Sequence, residues 1–211
     1  MKKHLGRFVA VFWAGTALAA YVLLSPSGGA HSPAWGQGAE AFAPASAARA
    51  TIEQWPVTAK LAAGVMIEKY GEPSRVSDTS VTWYGNEAWK RTVVYRDGWL
   101  DQSAVHHPDV LEQVISYSVP QDRFNDLASF DERLIIDGRT GELSFRSESE
   151  KTNFLAINLA NEIAVRWKTS EEARAFAVQQ MQLIDAGKKS AYTEGFTFEV
   201  KNELDPGPDG N

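Results

Sequence analysis

The sequence predicts an α+β domain: a mainly antiparallel sheet of about five strands, with an N-terminal helix and two C-terminal helices packed on it. Three observations carry that expectation. Apolar residues recur at helical spacing over residues 56–70 and over two later stretches. Short runs rich in Val, Ile, Thr, Trp and Tyr lie between residues 80 and 145, bounded by Gly, Pro and Asn. These runs follow one another through turns, without the long crossover helices that a parallel sheet needs.

Residues 56–70 are expected to form the first helix. Pro56 suits a first helical turn, and Ala59, Ala62, Ala63, Met66 and Tyr70 line one face. Gly71 and Pro73 stop it. Residues 80–84 and 90–96 then read as a hairpin joined across Gly85-Asn86. Residues 114–119 alternate, with Ile115, Tyr117 and Val119 on one side and Ser116 and Ser118 on the other, which predicts a half-buried strand ended by Pro120. Residues 121–129 suit a short helix. A second hairpin runs from Leu134 and Ile136, through Asp137-Gly138-Arg139-Thr140-Gly141, to Leu143 and Phe145, with Gly138 and Gly141 supplying positive φ.

Ser147 and Glu150 fit a capping box opening a helix to about Trp167, with Leu155, Leu159 and Ile163 on one face and Asn158, Asn161 and Glu162 on another, which faces solvent or, alternatively, a polar cleft between helix and sheet. Glu148 and Glu150 suit the positive end of that helix dipole. Thr169 and Glu172 make a second box, opening a helix that buries Phe176, Ala177, Met181 and Ile184 and closes at Gly187. Residues 189–200 are expected to add a last strand through Phe196 and Phe198.

Outside this domain (residues 51–200) the composition changes. Lys2, Lys3, His4 and Arg7 precede residues 8–24, which hold no charged side chain. A basic start before an apolar run is an export signature, and Gly28-Gly29-Ala30 offers the small residues a signal peptidase reads. Residues 1–30 are therefore read as a signal peptide or an N-terminal membrane anchor, with a buried N-terminal helix as the remaining reading. Residues 31–50, rich in Ala, Gly, Ser and Pro, read as a flexible linker, and 201–211 as a disordered tail. The expected location is exported, periplasmic or extracytoplasmic. Membrane contact is expected only through the N-terminal segment.

The 211 residues carry 21 Lys+Arg and 27 Asp+Glu, a formal charge of −6. Residues 1–30 hold three of the basic groups, so the remainder is at −9. That balance, with a pI near 5.3, excludes nucleic acid as the main partner. The absence of Cys excludes disulfides, thiolate metal sites and thiol nucleophiles. Phosphate-binding glycine loops, dinucleotide fingerprints and EF-hand loops are missing, so no cofactor and no resident metal are expected.

Three constellations are candidate chemistry. His106, His107, Asp109 and Glu112 combine imidazoles and carboxylates that suit metal binding or acid–base work. Adjacent His side chains on extended backbone point apart, whereas Asp109 and Glu112 share a side if Pro108 starts a helical turn. Asp101, Ser103 and His106 can be written as a nucleophilic set, but no G-x-S-x-G elbow supports it. Trp83, Trp89 and Trp99, with Tyr84 and Tyr95, offer rings that stack on glycans or, alternatively, pack a sheet.

Lys69-Tyr70-Gly71-Glu72-Pro73 with Trp83, His107 and Asp109 with Leu111-Glu112-Gln113, and Thr140-Gly141-Glu142-Leu143-Ser144 with Asn153-Phe154-Leu155-Ala156 resemble a family of bacterial exported proteins of unknown function. The likeness covers most of residues 55–174 and implies export and a single domain, with no mechanism. The K-Y-G-x-P stretch and the Trp strand are also similar to small envelope-assembly modules. The leading expectation is a non-enzymatic binding module of the envelope whose partner is a protein or a small-molecule ligand. The alternatives are an enzyme using His106, His107, Asp109 and Glu112, and a glycan-binding module using the strand aromatics.

Overall fold

The computed structural model describes residues 47–99 and 109–201, all within one compact unit. The expected leader, most of the linker, the tail, and Asp101, Ser103, His106 and His107 lie outside the described residues. A short helix, α1 (Ala47–Ile52), stands four residues ahead of the expected domain start, with Ala48 and Ile52 buried. The first predicted helix is α2 (Val57–Tyr70), ended by Gly71 at φ 77.

Among the described residues six strands follow, against about five expected, in a single antiparallel sheet: β1 (Arg75–Val76), β2 (Ser80–Asn86), β3 (Trp89–Trp99), β4 (Asp109–Ser116), β5 (Leu134–Asp137) and β6 (Glu142–Ser147). The order is β1-β2-β3-β4-β6-β5. The first four form a meander; the chain then passes through a 3-10 turn (Gln121–Arg123) and α3 (Phe124–Phe130) to the far edge, and β6 returns into the gap. The first hairpin turns at Glu87-Ala88, with Asn86 paired to Trp89, not at Gly85-Asn86. Gly85-Asn86 belongs to the strand, and Glu87 takes the positive φ (53°) that a two-residue turn demands. In the second hairpin only Gly141 has positive φ, while Asp137 Oδ1 accepts the Arg139 and Thr140 N–H groups (2.8 and 3.2 Å).

The third expected strand starts five residues earlier than predicted and is buried on both faces. It lies between β3 and β6, so Glu112, on the face away from Leu111 and Ile115, meets polar side chains of those two strands and not solvent. Odd-numbered Leu111, Gln113 and Ile115 face the helices. Leu111 joins an apolar cluster with Ala59, Ala63, Met66, Val81, Trp83 and Val94 under α2. Ile115 joins a second cluster with Leu143, Phe145, Leu155 and Leu159 under α4 (Glu150–Ala164). Gln113, fully buried between them, marks a polar seam across the core.

The cap of α4 is Ser149, whose hydroxyl accepts from Thr152 N–H (3.3 Å), not Ser147. Ser147 ends β6 and donates to Asn153 Oδ1 (2.6 Å). The helix stops at Ala164, short of Trp167, in a Schellman arrangement: Trp167 N–H bonds Glu162 O (2.8 Å) and Arg166 N–H bonds Ile163 O (3.1 Å), with Arg166 at φ 65. Helix α5 (Ser170–Asp185) opens on the predicted Thr169–Glu172 capping box and closes in the same motif with Gly187 at φ 66. The expected last strand is instead α6 (Ala191–Glu194) and an irregular segment. Phe196 still reaches the core, 4.8 Å from the Trp89 ring and 5.0 Å from that of Phe154.

Candidate functional site

The proposed catalytic cluster does not assemble from its described members. Asp109 and Glu112 sit on a strand, where residues three apart point to opposite faces, so the helical-turn reading is overturned. Glu112 is enclosed by Tyr95 Oη (3.1 Å), Ser144 Oγ (3.1 Å) and the Arg146 guanidinium, which stacks 4.3 Å over the Tyr95 ring. Burial and the neighbouring Glu112 push the Tyr95 hydroxyl pKa up. Asp109 lies 3.7 Å from Arg133, which binds Asp131 at 2.8 Å. Burial raises the Asp109 pKa against the pull of Arg133, and Glu148 and Asp131 raise it further.

Two of the three tryptophans read as a stacking platform lie in the core. Trp83 is 2% exposed and donates Nε1–H to Gly71 O (2.9 Å), and Trp89 is 0% exposed. Neither offers a ring face to a glycan. Trp99 ends β3, paired with Asp109.

The Asn158, Asn161 and Glu162 stripe, expected in solvent, is buried. Asn158 donates to Tyr192 O (3.1 Å) and Gly195 O (2.8 Å) and accepts from Thr197 N–H (2.8 Å). Asn161 accepts from Tyr117 Oη (2.8 Å), and Glu162 from Tyr192 Oη (2.6 Å). That last bond, with burial, pushes the Tyr192 pKa to about 12. The stripe is a dock for the segment around α6.

Two features escaped the sequence reading. The first is the seam itself. Glu150, which the capping pattern assigned to an exposed helix start, turns inward and accepts from Lys69 Nζ (2.6 Å), Tyr70 Oη, Trp89 Nε1 (2.8 Å) and Gln113 Nε2 (3.0 Å). Asn153 Nδ2 donates to Gln113 Oε1 (3.0 Å). Burial alone would raise the Glu150 pKa; the four donors outweigh it and hold the carboxyl below its usual range. The Tyr70 pKa is raised by burial and by its bond to Glu150. Every partner comes from inside the fold, so this network locks the end of α2 to β3, β4 and α4.

The second feature is a groove. Val57, Leu61 and Val65 are 69%, 65% and 56% exposed, and with Ala62, Met66 and Leu111 they line a cavity of about 560 Å³. Its other wall is the first turn of α4 with Glu148, Ser149, Glu150 and Lys151. The signal was present in the sequence: α2 also carries Val57, Leu61 and Val65 at four-residue spacing, and only the alanine–methionine face was singled out. An apolar concavity with a few polar groups at its edge is the usual form of a binding site. Among the described residues, no group of three or more His, Asp or Glu side chains is placed to hold a metal ion, and no helix is long and apolar enough to cross a membrane.

Comparison with protein-family models, with curated proteins and with solved structures found no match, so the likeness to exported bacterial proteins rests on the quoted residues alone.

Proposed function

We propose that this protein is an exported envelope module that works by binding, and that the groove along α2 is its binding surface. The observation that supports this most is the contrast between groove and interior. Three large apolar side chains stand exposed in line on α2, whereas the carboxylates Glu112, Glu150 and Glu162 are each engaged by side chains of the same fold. Exposing such a row forfeits roughly 1.5–3 kcal/mol of burial per side chain, a loss that a bound partner recovers. The basic start followed by an uncharged run of residues 8–24 supports export, and a Cys-free domain folds without oxidative chemistry.

The test is titration with an uncharged naphthylamine dye whose fluorescence rises in apolar surroundings. The protein should bind it saturably, and Leu61→Glu should weaken binding about tenfold or more while the circular dichroism spectrum is unchanged. Binding that is unsaturable, or equal in the variant, would overturn the groove as the site. Cell fractionation with N-terminal sequencing tests export: an unprocessed chain confined to the cytoplasm would refute it.

A further inference from the structure

We infer that the groove takes an amphipathic helix from a partner protein, one whose apolar stripe ends in lysine or arginine. This rests on the binding-module reading above and adds the chemistry of the partner. Val57, Leu61 and Val65 recur every four residues, so they form a straight ridge about 12 Å long, at the α-helical rise per residue. Four-residue ridges are the surface that a second helix packs against, and a groove beside such a ridge is read by apolar anchors at i, i+3 or i+4, and i+7. Ala62, Met66 and Leu111 give this groove an apolar floor, and the first turn of α4 closes one side.

Charge selects the sign of the partner. Glu148 borders the groove, with its carboxylate accepting only a neutral hydroxyl, that of Thr152 (2.8 Å), among the bonds described for it. Beside it, Asp109 and Asp131 share one guanidinium, that of Arg133 (3.7 and 2.8 Å). Among the described residues, three carboxylates around one cation leave the surroundings of Glu148 acidic. Across the first turn of α4, Lys151 faces Glu194 (3.7 Å) and Glu150 is matched by Lys69. A fatty acid lying in the groove would bring its own carboxylate toward the acid excess, whereas a helix ending in Lys or Arg meets it favourably.

The experiment uses the full chain and two fluorescent helical peptides of equal length with the same leucine stripe, one ending in lysines and the other in glutamates. Fluorescence anisotropy should show the basic peptide binding about tenfold more tightly at low salt, with the preference shrinking as salt is raised. Leu61→Glu should abolish binding of both. Glu148→Gln should cut the preference about threefold and flatten its salt dependence, leaving the melting temperature unchanged. Equal affinity for the two peptides, or no binding of either, overturns the inference. So does tighter binding of laurate than of the basic peptide, or a dimer in sedimentation that Leu61→Glu dissolves. If the dye still binds in a Leu61-dependent way while the basic peptide does not, the partner assignment falls and the binding-module reading stands; if the dye fails too, both fall.

Discussion

Helices α2 and α4 invert the usual relation between polarity and burial. Helix α2 carries apolar residues on more than one face, yet Val57, Leu61 and Val65 stand in the open. Helix α4 carries Asn153, Asn158, Asn161 and Glu162, yet all of Thr152 to Ala164 is buried. Apolar area is removed from water only where a neighbour covers it, and polar atoms are buried only where donors and acceptors meet them. The segment around α6, Tyr117 and the β4 amides supply those partners to α4. Nothing among the described residues covers the outer ridge of α2. Exposure of apolar groups on one helix and burial of polar groups on the other are thus two outcomes of one rule.

The largest expected effect comes from Glu150, the residue that ties the end of α2 to the start of α4. Glu150→Ala removes the carboxylate that accepts from the Trp89 indole and takes from the Gln113 amide one of its two acceptors, the other being Thr92 Oγ1, and should cost about 3–5 kcal/mol in urea denaturation. The same group gives a pH dependence. Because its folded pKa is depressed, its stabilisation is complete above the ordinary Glu value, about 4.3, and fades as pH falls toward the folded value. Acid titration of stability should therefore be flatter in Glu150→Gln than in the native chain.

Asn158→Ala comes next. It orphans Thr197 N–H and two carbonyls and should cost about 2–3 kcal/mol, with amide exchange rising first at Thr197. If this variant is as stable as the native chain, the polar stripe is not what holds α4 in place. Smaller shifts are expected at the helix ends. Gly187→Ala forces a side chain into left-handed backbone and should cost about 1 kcal/mol. Arg166→Gly relieves the same conformation at the equivalent site of α4. It also removes a 2.7 Å exposed ion pair to Asp122, so the net gain should stay under about 1 kcal/mol by thermal melting. The smallest effect is at Leu61. Leu61→Glu should change stability by no more than about 0.5 kcal/mol while it removes ligand binding, the signature of a residue that serves a partner and not the fold.

Much of this architecture was legible in residue patterns because the deciding interactions are local. Gly71 after α2, the Thr169–Glu172 box and the alternation leading into β5 and β6 each act within a few residues. The errors arose where a distant segment decides the outcome. Whether Asn158 faces water depends on Tyr192 and Thr197, more than thirty residues away, and helical periodicity carries no record of them. Glu150 matched a capping pattern, but four inward donors from three other elements outbid the cap. Trp83 was placed on a strand and Trp89 in the loop just before one, yet the ring environments of both follow from which helix crosses the sheet. The groove was missed for the opposite reason: its residues were visible as a four-residue repeat, and what was lacking was knowledge that no element among the described residues lies over them.

The docking of residues 192–198 onto α4 also sets an order of events in the life of the chain. Phe196 is the third ring of the Trp89–Phe154 stack, and Phe198 closes over Tyr117 at 5.7 Å. A nascent chain that has reached only Asp185 holds every described strand and the three long helices α2, α4 and α5, but α4 still lacks the partners of Asn158 and the Phe196 ring. Completion of the core is deferred until these late residues are made. Residues 192–198, made late, are thus the ones that close the interior over α4.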